Sequence, residues 1–436
     1  MHFDQDPLRL ARDLTRFIDA SPSPYHAVEQ VERRLVAEHF IRFDEGESWE
    51  LTPGTRGFVV RGATLLAFVI GSRPPAEAGF IILGAHTDSP NLRIKPRSEF
   101  ENVGFRQLAV EVYGSPILAT WSDRDLGLAG RVVLADATTH LVRLNEPVLR
   151  IPNLAIHLNR DVNKDGLTLN AQQHLTPILG LDASKPRSLL ELVCADLRQN
   201  QDAGIDPSDI LGFDLCLFDL QPSTLAGSAG EFIFAPRLDN LASCHAAYLA
   251  LLAAGAQTEA TRVIALYDHE EVGSQSEAGA RSRLLESVLD RLATSTKDAP
   301  RDATARAFSR SFLVSCDMAH GVHPNYPDKH DKLHRPLLGQ GPVIKTNANQ
   351  SYATDAPAAA RFTRACRKND LTPQHFVSRN DMPCGSTIGP ITAARLAINS
   401  VDVGNPMLSM HSCREMAASA DIPPMLHILT TLLQER

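Results

Sequence analysis

Acidic and histidine residues close a series of short apolar runs in this chain, and that placement limits both its fold and its chemistry. Phe80-Ile81-Ile82-Leu83 leads into Gly84-Ala85-His86-Thr87-Asp88, Val263-Ile264-Ala265-Leu266 into His269-Glu270-Glu271, Phe312-Leu313-Val314 into Asp317, and Met407-Leu408 into His411. Asp239 stands apart, ahead of a helical stretch. Short apolar runs bounded by turn residues read as buried strands. In open α/β sheets, ligands gather outside the carboxyl ends of the strands. The pattern predicts carboxylates and imidazoles converging over one sheet edge, which is the donor set of a divalent metal site.

With 436 residues the chain can form two or three domain-sized units. Leu8, Leu10, Ala11, Leu14 and Phe17 approximate a helical stripe over residues 7–19. Ser21-Pro22-Ser23-Pro24 stops that helix, because proline removes a donor and restricts the residue before it. A second helix is expected from Tyr25 to Glu38, one from Leu241 to Ala254, and a strand over Val263 to Leu266. Residues 96–235 differ. Short alternating segments such as Gln107-Leu108-Ala109-Val110-Glu111-Val112-Tyr113 dominate until a helical pattern at Ser188 to Leu197. They read as an inserted β-rich domain, leaving 1–95 and 236–436 as an α/β catalytic domain with a mixed sheet flanked by helices.

Composition excludes several partners. No apolar run approaches the ~18 residues of a membrane span, and the start has neither the basic nor the apolar region of a secretory leader. A net charge of −8 without a dense Lys/Arg tract argues against nucleic acid. Seven cysteines, an odd number with no CxxC spacing, point to reduced thiols in a cytoplasmic protein. Cys316 and Cys413 lie beside candidate ligands, but a buried cysteine is ordinarily a small hydrophobe.

Each chemical stretch has a plain alternative. In His86-x-Asp88 a carboxylate two residues on can orient a metal-bound imidazole; the alternative is a turn in which Asp88 caps Ser89-Pro90. On an extended segment Glu270 and Glu271 would point in opposite directions, one free to ligate a metal and the other to act as a base; the alternative is a solvated turn. Asp239 alone reads as a helix N-cap, and Asp317 and His411 alone are uninformative. Jointly, His86, Asp239, Glu271, Asp317 and His411 with Glu270 make the inventory of two metal ions sharing one carboxylate.

The stretches Gly84-Ala85-His86-Thr87-Asp88-Ser89-Pro90, Arg237-Leu238-Asp239-Asn240, Glu270-Glu271-Val272-Gly273-Ser274, Asp317-Met318-Ala319-His320 and Met410-His411-Ser412-x-Arg414-Glu415 together resemble the aspartyl aminopeptidase family, a branch of the di-zinc aminopeptidases. The likeness runs from near residue 15 to near residue 420. It implies a zinc-aminopeptidase-like sheet and removal of N-terminal Asp or Glu from peptides. It implies two divalent ions, zinc foremost with Co2+ or Mn2+ as alternatives. Asp239 would bridge them, Glu271 and His411 would complete one site, and His86 and Asp317 the other. Asp88 would orient His86 and Glu270 would be the base. The insert would be a dimerisation domain, its dimers building a dodecamer in which His157 enters a neighbour's site. Lys345 would bind the acidic side chain of the substrate and Tyr352 would assist the substrate carbonyl.

Three positions depart from the family pattern: His269 before the glutamate pair, Ser351 before Tyr352, and Ser115 to Trp121 in the insert. Two rivals remain at this stage: a metal-dependent deacylase on the same scaffold, and a catalytically silent assembly protein.

Overall fold

The computed structural model describes residues 6–201, 204–255, 258–295 and 298–435. Its central element is a nine-stranded mixed sheet in the order Ile41–Arg42, Arg56–Arg61, Thr64–Val69, Thr261–Tyr267, Phe80–His86, Phe312–Cys316, Asn399–Gly404, Val343–Thr346, Gln374–Val377. The four middle strands are mutually parallel, and antiparallel neighbours flank them. Every residue of Phe80–His86, Thr261–Tyr267 and Phe312–Cys316 is buried. A parallel sheet covered on both faces demands this near-continuous apolar sequence in place of alternation.

Successive side chains nevertheless serve opposite faces. Ile81 and Leu83 join the core under the helices Pro7–Asp19, Leu238–Ala253 and Ile422–Leu433. Phe80 and Ile82 join the core under Leu284–Ala293, Ala303–Arg310 and Ile388–Leu396. Truncating a fully buried residue such as Leu83 to Ala costs about 2–5 kcal/mol. The first helix begins where expected: Pro7 takes its first turn and the Asp6 carboxylate accepts the Leu8 amide at 3.0 Å. The second is Pro24–Ala37, capped by Ser23.

The β-rich segment is a six-stranded antiparallel sheet, ordered Thr139–Leu149, Leu126–Leu134, Ile210–Asp219, Asn91–Asn102, Phe105–Tyr113, Ile178–Leu181. The helix Leu189–Gln201 closes its core through Val193 and Leu197. The sheet begins before residue 96. Pro96 falls where the register between Ile94 and Glu99 shifts, a bulge that needs no proline N–H. The sheet ends at Asp219, before 235. Thr224–Ala226 and Phe232–Ala235 instead belong to a third sheet with Glu415–Ala418, Pro406–Leu408 and Ala319–His320.

Candidate active site

Parallel strand order brings three of the acidic stretches to one edge. His86 ends its strand, Asp317 follows Cys316, and Glu270-Glu271 follows Tyr267 after a two-residue link. The other two candidate ligands arrive differently from the sequence expectation. His411 comes from the loop between Pro406–Leu408 and Glu415–Ala418, so the third sheet and not the main sheet edge delivers it. Asp239 sits at an irregular start of the helix Leu238–Ala253, with non-helical backbone at φ −80° and ψ 105°. Its carboxylate caps no amide; Oδ1 is buried without a hydrogen bond. Glu270 and Glu271 do not form an extended segment either. They occupy a 3-10 turn, Glu270–Val272, entered through His269 in the left-handed region at φ 63°.

The geometry is compact. His86 Nε2 lies 3.6 Å from Asp239 Oδ1, 3.9 Å from Glu270 Oε2 and 4.0 Å from Asp317 Oδ2. His411 Nε2 lies 3.4 Å from Asp239 Oδ2 and 3.3 Å from Glu271 Oε1. Two donor triads therefore share Asp239: His86-Asp239-Asp317 and Asp239-Glu271-His411. His86, Glu270 and Glu271 form a third group of the same tightness.

Asp88 is more than a partner for His86. Besides standing 3.5 Å from His86 Nδ1, it accepts the Glu270 and Glu271 amides at 3.1 Å each and the Tyr113 hydroxyl at 2.6 Å. It caps neither Ser89 nor Pro90. Tyr113 and Ser115 belong to the insert, and the Ser115 carbonyl meets His411 Nδ1 at 3.1 Å. The insert thus touches one triad through His411 and reaches the other only through Asp88, which stands against His86. Arg237, Ser409 and His411 all have φ between 55° and 66°. Left-handed non-glycine residues cost about 1–3 kcal/mol each and cluster at functional sites. A Cβ at Gly404 would collide with the Asp317 carbonyl, so that strand passes hard against the ligand.

Charge crowding dominates the titration. Burial pushes Glu270 well above the ordinary carboxylate range, with Asp317 and Glu271 adding to it. Burial, reinforced by Asp239, raises Glu271 to about 7. Burial alone would depress His411, but Asp239 and Glu271 override it and raise the imidazole to about 11. His86 is raised in the same way by Asp239 and Asp88. Acids this close need cations between them. The residues fit divalent metal ions, since Asp239 Oδ1 and Glu271 Oε1 are buried acceptors with no hydrogen bond.

Lys345 is not a surface lysine: it is 2% exposed, with Nζ 3.4 Å from Asp317 Oδ1 and 3.2 Å from the Met318 carbonyl. Tyr352 is buried beneath it, the ammonium 5.2 Å from the ring centroid. Beside Met410 lies a cavity of about 300 Å3 lined by His320, His323, Lys329, His330, Phe376 and Arg379, among others, and by no acidic residue. His157 lies apart, exposed in the 3-10 turn Ile156–Leu158 of the insert and not in a strand. Cys316 and Cys413 are buried free thiols, as are most of the seven.

A model of the family described as aminopeptidase I zinc metalloprotease (M18) matches residues 17–432. The chain belongs to the M18 aminopeptidases. A probable M18 family aminopeptidase 2 of Streptomyces avermitilis is 46% identical over 424 residues, covering 95% of this chain and 96% of the relative. One of Azotobacter vinelandii is 46% identical over 425 residues, with 97% of each covered. Among solved structures, the Ape4 and Nbr1 complex matches with a TM-score of 0.94 at 38% identity, covering 99% of this chain and 86% of that one. The mApe1 dodecamer of S. cerevisiae matches with 0.84 at 28%, covering 98% and 96%. M18 membership makes the chain a metal-dependent aminopeptidase and removes the silent assembly reading. Among the described residues, no helix is long and apolar enough to cross a membrane.

Proposed function

We propose that this M18 aminopeptidase removes N-terminal Asp and Glu from peptides, using two divalent ions and Glu270 as general base. The observation that carries the two-ion reading is the single carboxylate, Asp239, common to both donor triads. His86 and Asp317 would hold one ion, Glu271 and His411 the other. Zinc bound there would supply Lewis acidity, polarising the scissile carbonyl and acidifying water toward a pKa of about 7. Glu270, partly open and next to both triads, would take the proton of the attacking water and return it to the departing amine. Asp88 fixes Glu270 through its backbone, and so keeps the base at one distance from the ligands.

Support for acidic substrates is electrostatic. The 300 Å3 cavity beside Met410 offers basic and imidazole groups with no acid among its lining, and Lys345 stands outside that lining as a separate cation. A buried carboxylate without a cation would be costly. Lys345 remains the candidate counter-ion: its ammonium has three donors, of which Asp317 and the Met318 carbonyl engage two. Tyr352 would assist the substrate carbonyl.

The chain would act as a homo-oligomer, a dodecamer built from dimers, in the cytoplasm. Leu154, Ile156 and Leu158, exposed around His157, suit burial against a second copy, and His157 would enter that copy's site. The deciding experiment strips the enzyme, reloads it with Zn2+, Co2+ or Mn2+, and measures metal content and turnover of Asp-, Glu- and Ala-peptides. Two ions per chain with faster cleavage of acidic peptides is the expected result. Equal rates on Ala-peptides would remove the acidic specificity, and release of an acyl group in place of an amino acid would favour the deacylase.

A further inference from the structure

Glu415 closes the stretch that carries His411 and is buried on the strand Glu415–Ala418. Strand pairing sets it opposite Ala235, at the end of the segment that turns through Arg237 to Asp239. Its two carboxylate oxygens are divided between two backbone amides. Oε2 accepts from Asp239 N at 3.1 Å and Oε1 from His411 N at 2.7 Å. These amides belong to Asp239, the shared carboxylate, and to His411, which the third sheet delivers.

From this geometry we infer that Glu415 is a positioning residue, a brace that fixes Asp239 against His411 and so sets the spacing of one metal pocket before any ion enters. The inference rests on the two-ion reading above. Asp88 gives the pattern a counterpart, since its two oxygens accept the Glu270 and Glu271 amides. Each brace joins ligand segments by their main chains and leaves the ligand side chains free. The need for a brace is local. His411 and Arg237 stand in the left-handed region, and a residue held there persists only where its surroundings over-determine it. A carboxylate clamping the amide next to that torsion does so without occupying the ligand atom. Groups behind metal ligands typically set affinity by about 10- to 100-fold.

The structure also contains a matched control. Asp421 is buried and accepts the Gly339 and Gly341 amides at 2.8 and 2.7 Å, yet holds no ligand of the site. Glu415→Gln keeps the shape but turns one acceptor into a donor, so either Asp239 or His411 loses its partner. The test titrates Zn2+ into the metal-stripped oligomer of wild type, Glu415→Gln and Asp421→Asn, reading bound metal per chain, thermal stability and kcat against KM.

For Glu415→Gln, one of two ions should bind about 10- to 100-fold more weakly, with kcat reduced at limiting zinc, restored by excess zinc, and KM little changed. Asp421→Asn should lower stability alone. A Glu415→Gln titration that overlays wild type overturns the inference, as does an equal loss of metal in Asp421→Asn. If wild type itself binds other than two ions, the two-ion reading fails, whatever the variant does. Hydrogen exchange on metal-stripped wild type needs no variant at all. The Asp239 and His411 amides should stay protected, and free exchange at both would overturn the brace.

Discussion

Around the carboxyl edge of the nine-stranded sheet, Asp239 and Asp317 are buried almost completely. On the insert, Leu154, Ile156 and Leu158 are 62%, 47% and 74% exposed. The two regions break opposite rules. Buried charge is costly unless paired, and clustered exposed apolar side chains are costly unless covered. Each region thus carries a requirement that one isolated chain leaves unmet. Cations between the carboxylates would meet the first and a second copy the second. The two requirements differ in kind: one concerns buried charge, the other uncovered apolar surface, and His157, which would enter a neighbour's site, would be the residue that joins them. Substitutions away from His157 should therefore fall on one side or the other.

The largest effect is expected at Glu270. Glu270→Gln keeps shape and removes proton-accepting power, and should lower kcat by a factor on the order of 10² to 10⁴ with metal content and oligomer mass unchanged. Full activity at saturating metal would reassign the base. Lys345→Met comes next. It should reduce kcat/KM for Asp- and Glu-peptides by about 30- to 1000-fold, and far less for Ala- or Leu-peptides. Equal losses accompanied by metal loss would instead make Lys345 the counter-ion that holds Asp317.

Leu158→Asp probes the other region. Placing a charge where an apolar contact is expected should weaken assembly by about 10- to 100-fold, visible as a fall in mass by light scattering at micromolar concentration. An unchanged mass would take this turn out of the interface. The smallest effect concerns the seam between the regions. Burial pushes the His26 imidazole down to about 3, with Arg143 of the insert adding repulsion. In the unfolded chain it titrates near 6.5. Between those values only the unfolded state binds the proton. The stability is therefore fully present above pH 6.5 and is lost as pH falls toward 3, by about 1 kcal/mol at pH 5.5. His26→Gln should flatten that part of the stability profile measured by denaturant unfolding, and an unaltered profile would exclude His26 as its source.

Much of the site was legible because parallel strands write it in a readable form. His86, Glu270, Glu271 and Asp317 each follow a buried run, and such runs end at the same edge. His411 was legible as a residue but not in its route, since membership of a third sheet depends on pairings from Thr224 to Ala418 that no local pattern records. The turn at Glu270–Val272 was missed because no glycine marks the left-handed torsion at His269, although histidine, like asparagine and aspartate, is enriched at such torsions. The braces were missed for another reason. Glu415 and Asp88 act on partners as far as 176 and 183 positions away, and both act on backbone amides, which have no letter in a sequence. Conversely, the alternation in Gln107 to Tyr113 pointed to β-structure there, whereas the strand Asn91–Asn102 runs across the boundary expected at residue 96.

The contact of Tyr113 with Asp88, and of Ser115 with His411, has a consequence for anyone reshaping the protein. The insert looks like a detachable module, with its own sheet and its own apolar centre. Cutting it out to make a small single-chain peptidase would also remove a hydroxyl and a carbonyl that steady the imidazole and carboxylates of the reaction centre. Grafting an insert from a distant relative would succeed only if those two atoms returned to the same places.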